Sequence, residues 1–501
     1  MSVIQRLADR DDIQGLAAFS YGKLTEARYV LARIKDLAAA RAWCAAAPVS
    51  TAKLLPEAPH TAMQLAFTAE GLRALGVPER TLAGFSPEFL EGMAGSANRS
   101  RRLGDLGAND PGNWFWGASR TTPHIAVLLY AKDSLESWQR TVLGDRWGEA
   151  FQTTGCLDTS NMGDREPFGF RDGISQPIVD WDRLRDAGTD QIHYGNIVSL
   201  GEFVLGYSNE YGEYTDRPVL PSEDDSADDL PAAEDMPEKR DLGRNGTYLV
   251  LRQLEQDVRG FWQFLDRMAG GDPQERGRLG AAMVGRSQVG QVLLPESREP
   301  IPGVTDKPGQ PRNSFLYDGD PAGVHCPLGA HIRRANPRNA DLPGAPSSRV
   351  AKLMKQLAIP RPAFGTDLTA SVRFHRILRR GREYGVKLTP EAALQPGPPG
   401  EPPRGLHFAC INANISRQFE FVQSAWLMTS KFDGLTGEAD PLLGNREPVG
   451  GCPVTNGFTI PRKDRLSRHL KELPQFILVR GGAYFFLPGL RALRWLLRER
   501  P

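Results

Sequence analysis

The sequence predicts an α+β fold in both halves of a 501-residue chain. Two observations carry that prediction. Short apolar runs with strand character recur along the chain, and stretches with helical periodicity lie between them. A third excludes the main competitor: no Gly-x-Gly-x-x-Gly follows a strand-like run, so a dinucleotide-binding Rossmann unit lacks support. The strand signals are Thr61 to Phe67, His124 to Tyr130, Thr247 to Leu254 and Leu406 to Ile411. Phe476 to Arg480 and Ala483 to Phe486 read as a hairpin turning at Gly481-Gly482. Helix signals cover Glu70 to Leu75 and Asp257 to Met268. They also cover Arg417 to Met428, where Phe419, Phe421, Val422, Ala425 and Trp426 recur at roughly helical spacing. Leu490 to Arg500 is a basic amphipathic helix, read as packed against the body rather than lying on a membrane.

Composition changes between residues 217 and 242. Ser222 to Asp229 is acidic, and prolines stand at 218, 221, 231 and 237, which reads as a solvated loop. Dividing the chain there gives an N-terminal domain over 1–220, an acidic linker over 221–242 and a C-terminal domain over 243–501. A second loop, Gln395 to Pro403, is too rich in proline for regular structure.

Apolar residues make up 40% and charged residues 24%, with a net charge of +1. Nothing steers the whole molecule towards nucleic acid or an anionic membrane, and no run of about 18 apolar residues is present. The N-terminus has no apolar signal core and no twin arginine. Five cysteines with no close Cys-x-x-Cys pair argue against a disulfide framework and a structural zinc site. Reduced thiols and a cytoplasmic location fit that count.

Three separated stretches carry chemistry. In Gly169-Phe170-Arg171-Asp172-Gly173 the flanking glycines allow unusual backbone angles around a carboxylate. Asp172 is either a proton-transfer group or the cap of a turn. His331, after Cys326-Pro327-Leu328-Gly329-Ala330, is a metal ligand or a structural histidine. The small Gly329-Ala330 approach would leave room for a flat macrocycle. His325 is a rival ligand, and the thiolates of Cys326 and Cys452 are further alternatives. No Cys-x-x-Cys-His occurs, so c-type covalent haem attachment is excluded. Arg379 and Arg380 lie in an arginine-rich extended run, where alternation sends one into a site and leaves the other in solvent.

These stretches, in this order, resemble the dye-decolourising peroxidases. Gly169 to Gly173 matches that family's GxxDG motif. Cys326 to Arg333 is similar to its proximal-histidine segment, and Ile377 to Gly385 to its distal-arginine segment. Gly405 to Cys410 and Val479 to Phe486 resemble its later strands. The resemblance implies two ferredoxin-like α+β domains with antiparallel sheets, of the dimeric α+β barrel type. The C-terminal domain would hold non-covalent haem b.

By the same resemblance, His331 is the axial ligand of the haem iron, Asp172 the distal acid–base group and Arg379 the distal arginine. Leu406 and Phe408 help line the distal cavity, and Asp440 is the candidate carboxylate partner of His331. The implied reaction is a peroxidase reaction (EC 1.11.1.-), in which hydrogen peroxide drives one-electron oxidation of dyes, phenols or other aromatic reductants. A homo-oligomer is compatible with the resemblance. An aspartate base predicts an acidic optimum. Two alternatives stay open: a haem-handling protein of deferrochelatase type, and a haem-free α+β interaction module. The 48 residues from His331 to Arg379 exceed the spacing of compact members, and the excess, about Asn339 to Asp367, resembles the long bacterial and fungal subgroup.

Overall fold

In the computed structural model, residues 7–185, 195–223, 227–295, 304, 306, 309–339, 371–447 and 455–499 are described. The N-terminal half runs β1 (Glu26–Ile34), α1 (Leu37–Ala46), β2 (Thr61–Phe67), β3 (Ile125–Ala131), α2 (Leu135–Leu143) and β4 (Phe151–Asp158). The C-terminal half begins with β5 (Thr247–Gln256), α3 (Val258–Ala269) and α4 (Pro273–Val284), followed by α5 (His331–Ala335). Then come β6 (Leu378–Arg379), β7 (Arg382–Tyr384), β8 (Gly405–Asn412), β9 (Ile477–Leu487) and the closing helix α6 (Leu490–Leu496). Between β8 and β9 the chain winds as π-helix over Ser416–Glu420 and Val422–Met428.

The α+β expectation holds in both halves. Each follows the ferredoxin-like βαββαβ plan, and their strands join into one antiparallel sheet in the order β6-β8-β5-β9-β2-β3-β1-β4, with β7 also on β8. The halves meet edge to edge where Phe486 of β9 pairs with Phe67 of β2.

The sheet is buried on both faces, which explains why its strands read as nearly continuous apolar runs. In β1, Val30 and Ala32 enter the core on one face, while Ala27, Tyr29 and Leu31 enter the core on the other. All seven residues of β3 are buried. Helix α3 starts where the Asp257 carboxylate accepts the Gly260 amide, and it buries Val258, Phe261, Trp262, Phe264 and Leu265.

Three sequence expectations are corrected. The predicted hairpin at Gly481-Gly482 is one continuous strand, with a register shift between Val479 and Gly481. The glycines are there for close packing: a Cβ on Gly481 would collide with the Trp116 indole, and one on Gly482 would meet Met93 Sδ at 2.5 Å. The acidic segment is not a freely solvated loop. Val219–Pro221 pairs with Lys239–Asp241, Ala227, Leu230 and Ala233 are buried, and Arg217 is ion-paired to Asp241 at 2.6 Å. Composition hid this because a few small apolar residues among many acids suffice to anchor it. Finally, α6 is shorter than predicted, though Ala492, Leu493, Trp495 and Leu496 pack inward as expected.

Candidate active site

Around Asp172 the chain folds into a tight turn closed by a β-bridge between Arg165 and Arg171. Gly169 (φ +95°) and Gly173 (φ +72°) occupy the left-handed region that glycine tolerates. Asp172 Oδ1 accepts the Gly173 amide at 2.6 Å, so the capping reading of this residue is correct as far as it goes. The same oxygen also accepts Arg379 Nη1 at 2.9 Å.

Arg379 is held on both sides of its backbone. Its amide donates to Gln176 Oε1 at 3.1 Å, and Gln176 Nε2 donates back to the Arg379 carbonyl at 3.3 Å. The guanidinium also donates to the Ser175 carbonyl at 3.2 Å. Within the β6–β8 ladder Arg379 lies directly opposite Cys410. Opposed residues share a face, so Arg379 projects to the same side as Cys410, Phe408 and Leu406. Arg380 projects to the other face, as alternation predicts, but it is buried there and donates to the carbonyls of Leu16 and Ala17 rather than standing in solvent.

His331 opens helix α5, and its Nδ1 lies 2.9 Å from Asp440 Oδ2. Asp440 is fully buried, and its Oδ1 accepts the amides of Leu442 and Leu443 at 2.9 and 2.8 Å. Burial pushes the Asp440 carboxyl up, but His331 and these amides outweigh it and hold its pKa below the ordinary value. The carboxylate is therefore the acceptor and His331 Nδ1 carries the proton. Burial opposes charging of His331, yet the pull of Asp440 raises its pKa. In the neutral ring Nε2 is then the nitrogen without a proton.

Burial also pushes Asp172 up, but Arg379, the Gly173 amide and His331 together hold its pKa below the ordinary value. Arg379 and Asp172 are in direct contact, and His331 lies near enough for its charge to act on both. Their side chains are 26%, 46% and 35% exposed although they come from the interior of the fold, so they face an open cleft. Leu406 and Phe408 are partly buried and pack on the main core beside it.

Other expectations resolve differently. His325 is exposed, while the Cys326 thiol is buried and pushed up to about 12, away from thiolate chemistry. Gly329 and Ala330 are small because protein packs on them: a Cβ on Gly329 would meet Phe458 at 3.3 Å, and Ala330 is fully buried. The sequence reading missed Gln176, three residues beyond the Gly173 that closes the glycine motif. Cys452 and the stretch from 340 to 367 lie outside the described residues.

The arrangement suits haem. Among the described residues no group of three or more His, Cys, Asp or Glu side chains could hold a bare metal ion. A single imidazole with its second nitrogen tied to a carboxylate fits a haem, in which the porphyrin would supply the iron's remaining nitrogen donors.

No family model matches the chain. Individual relatives decide the matter. The multifunctional dye peroxidase DyP2 of Amycolatopsis sp. is 30% identical over 389 residues, covering 75% of this chain and 69% of its own. The chain belongs to the dye-decolourising peroxidases. The dye-decolorizing peroxidase msp1 of Mycetinis scorodonius is 29% identical over 89% of this chain and 79% of its own. The crystal structure of the Auricularia auricula-judae dye-decolorizing peroxidase superposes with a TM-score of 0.70 at 25% identity, covering 98% of this chain and all of the other. The Anabaena DyP-type peroxidase shares the fold, with a TM-score of 0.68 at 22% identity. This dye-decolourising peroxidase is accordingly a haem-dependent oxidoreductase acting on peroxide and a reductant. The haem-handling and haem-free readings are not favoured. No described helix is long and apolar enough to cross a membrane.

Proposed function

We propose that His331 is the axial ligand of a non-covalently bound haem b, and that Asp172 and Arg379 form the distal pair that cleaves hydrogen peroxide. Bound haem supplies the iron at which peroxide is reduced and to which dyes, phenols and other aromatic reductants give electrons one at a time. The protein does the rest. Asp440 accepts the proton at His331 Nδ1, fixing the tautomer and making Nε2 a stronger donor. The Asp172 carboxylate takes the proton from one peroxide oxygen and returns it to the other. The Arg379 guanidinium stabilises the negative charge that grows on the departing oxygen. Leu406 and Phe408 form an apolar wall that keeps bulk water off these groups.

The observation that carries this reading is the 2.9 Å contact of Arg379 with Asp172, at a cleft they share with His331. Stopped-flow mixing of the haem-loaded enzyme with peroxide tests it. Asp172→Asn and Arg379→Leu should keep haem and slow the peroxide reaction by about 10²–10⁴-fold. Wild-type rates in both variants would remove the pair from this role.

We also place the enzyme in the cytoplasm and set its domain boundaries near residues 220 and 243. The four free cysteines among the described residues support the first, three of them buried. The junction of the two half-sheets supports a two-part division. A homo-oligomer remains compatible with this reading, and its molecular mass in solution tests that.

A further inference from the structure

Glu166 occupies the inside of the turn that carries Asp172. Its Oε1 accepts the Phe170 amide at 2.9 Å, and its Oε2 accepts the Phe168 amide at 3.0 Å. Oε2 also accepts Gln256 Nε2 at 2.9 Å, from the last residue of β5. The Glu166 amide donates to the Phe170 carbonyl at 2.9 Å, and the Asp172 amide donates to the Asp164 carbonyl at 2.9 Å. Phe168 and Phe170 are buried against α3, with ring contacts to Phe261 at 4.5 and 6.4 Å, and Trp262 Nε1 donates to the Phe168 carbonyl at 3.0 Å. One carboxylate therefore gathers three donors, from the turn and from the sheet. Two of those donors stand four and two residues before Asp172.

We propose that Glu166 is the positioning residue of Asp172, fixing the turn so that the aspartate carboxylate meets Arg379 over the cleft. The proposal rests on the reading of Asp172 as the proton acceptor. Glu166 need touch no reacting atom; it acts through the backbone from Phe170 to Asp172. A glutamine would offer one acceptor oxygen to three donors, which explains why a carboxylate stands at this enclosed position. Its cost is visible: burial pushes the Glu166 pKa up to about 7, against the bonds from Gln256, Phe168 and Phe170.

Cyanide binding to the haem-loaded enzyme reads this without turnover, because hydrogen cyanide must give its proton to the distal base. Glu166→Gln should slow cyanide association about tenfold with haem absorbance unchanged, while the donors it leaves unsatisfied lower the unfolding midpoint. The same change added to Asp172→Asn should slow it no further, since the two residues act as one unit. Gln256→Met removes the sheet donor alone, so it should slow association less, and again only when Asp172 is present; it decides the question if Glu166→Gln does not fold. Additive slowing in the double variants, or wild-type association in folded Glu166→Gln, overturns the proposal. If Asp172→Asn by itself leaves cyanide binding unchanged, the distal-base reading has failed and this inference falls with it.

Discussion

Asp172 shows how neighbours decide what a residue type can do. Burial alone would raise its pKa, but Arg379, the Gly173 amide and His331 reverse the sign and hold it below the ordinary aspartate value. A carboxyl depressed in this way contributes stability above its unfolded value and loses it as the pH falls through the folded value. The base and its ion pair with Arg379 are lost over the same window. The acid limb of the peroxide reaction should therefore lie below the ordinary aspartate range, and Arg379→Leu should move it upward. A pH profile of the bimolecular peroxide rate checks both. An unmoved limb in Arg379→Leu would show that Asp172 is not the titrating group. The pairing of His331 with Asp440 was legible only through the family resemblance, because 109 positions separate them and no local pattern links them.

At the scale of elements, long strands and capped helices were readable because their cause is local. Asp257 stands before an apolar stripe at Val258, Phe261, Trp262 and Leu265, and the chain has little alternative to a helix there. Gly481-Gly482 misled the reading for a tertiary reason: two adjacent glycines look like a turn, but here they admit Trp116 and Met93. Gly481→Ala should force the indole from its site, where Nε1 donates to Gln253 Oε1 at 2.9 Å. A loss of about 1–3 kcal/mol of stability is expected from such overpacking, measurable by denaturant unfolding. The π-helical winding of Ser416–Met428 was also beyond the sequence reading, since its apolar spacing is nearly that of an α-helix.

At the scale of the molecule, two half-sheets behave as one body. Beyond the Phe67–Phe486 junction, a buried cluster ties them: Glu420 accepts Arg99 Nη1 at 2.6 and 2.7 Å and the Tyr484 hydroxyl at 2.8 Å. Glu420→Leu would leave the buried Tyr484 hydroxyl without its acceptor and Arg99 with Glu91 as its remaining carboxylate, and should cost about 1–3 kcal/mol, seen as a lower unfolding midpoint. The same molecule brings to one cleft an imidazole, a carboxylate and a guanidinium from stretches that the sequence separates widely. The most direct test of the account is the absorbance spectrum near 400 nm of purified, haem-supplied His331→Ala beside the wild type. The account predicts a strong Soret band in the wild type and loss or displacement of that band in the variant, whose fold is intact. An identical band at equal haem content would contradict it, because the iron would then be held by another residue.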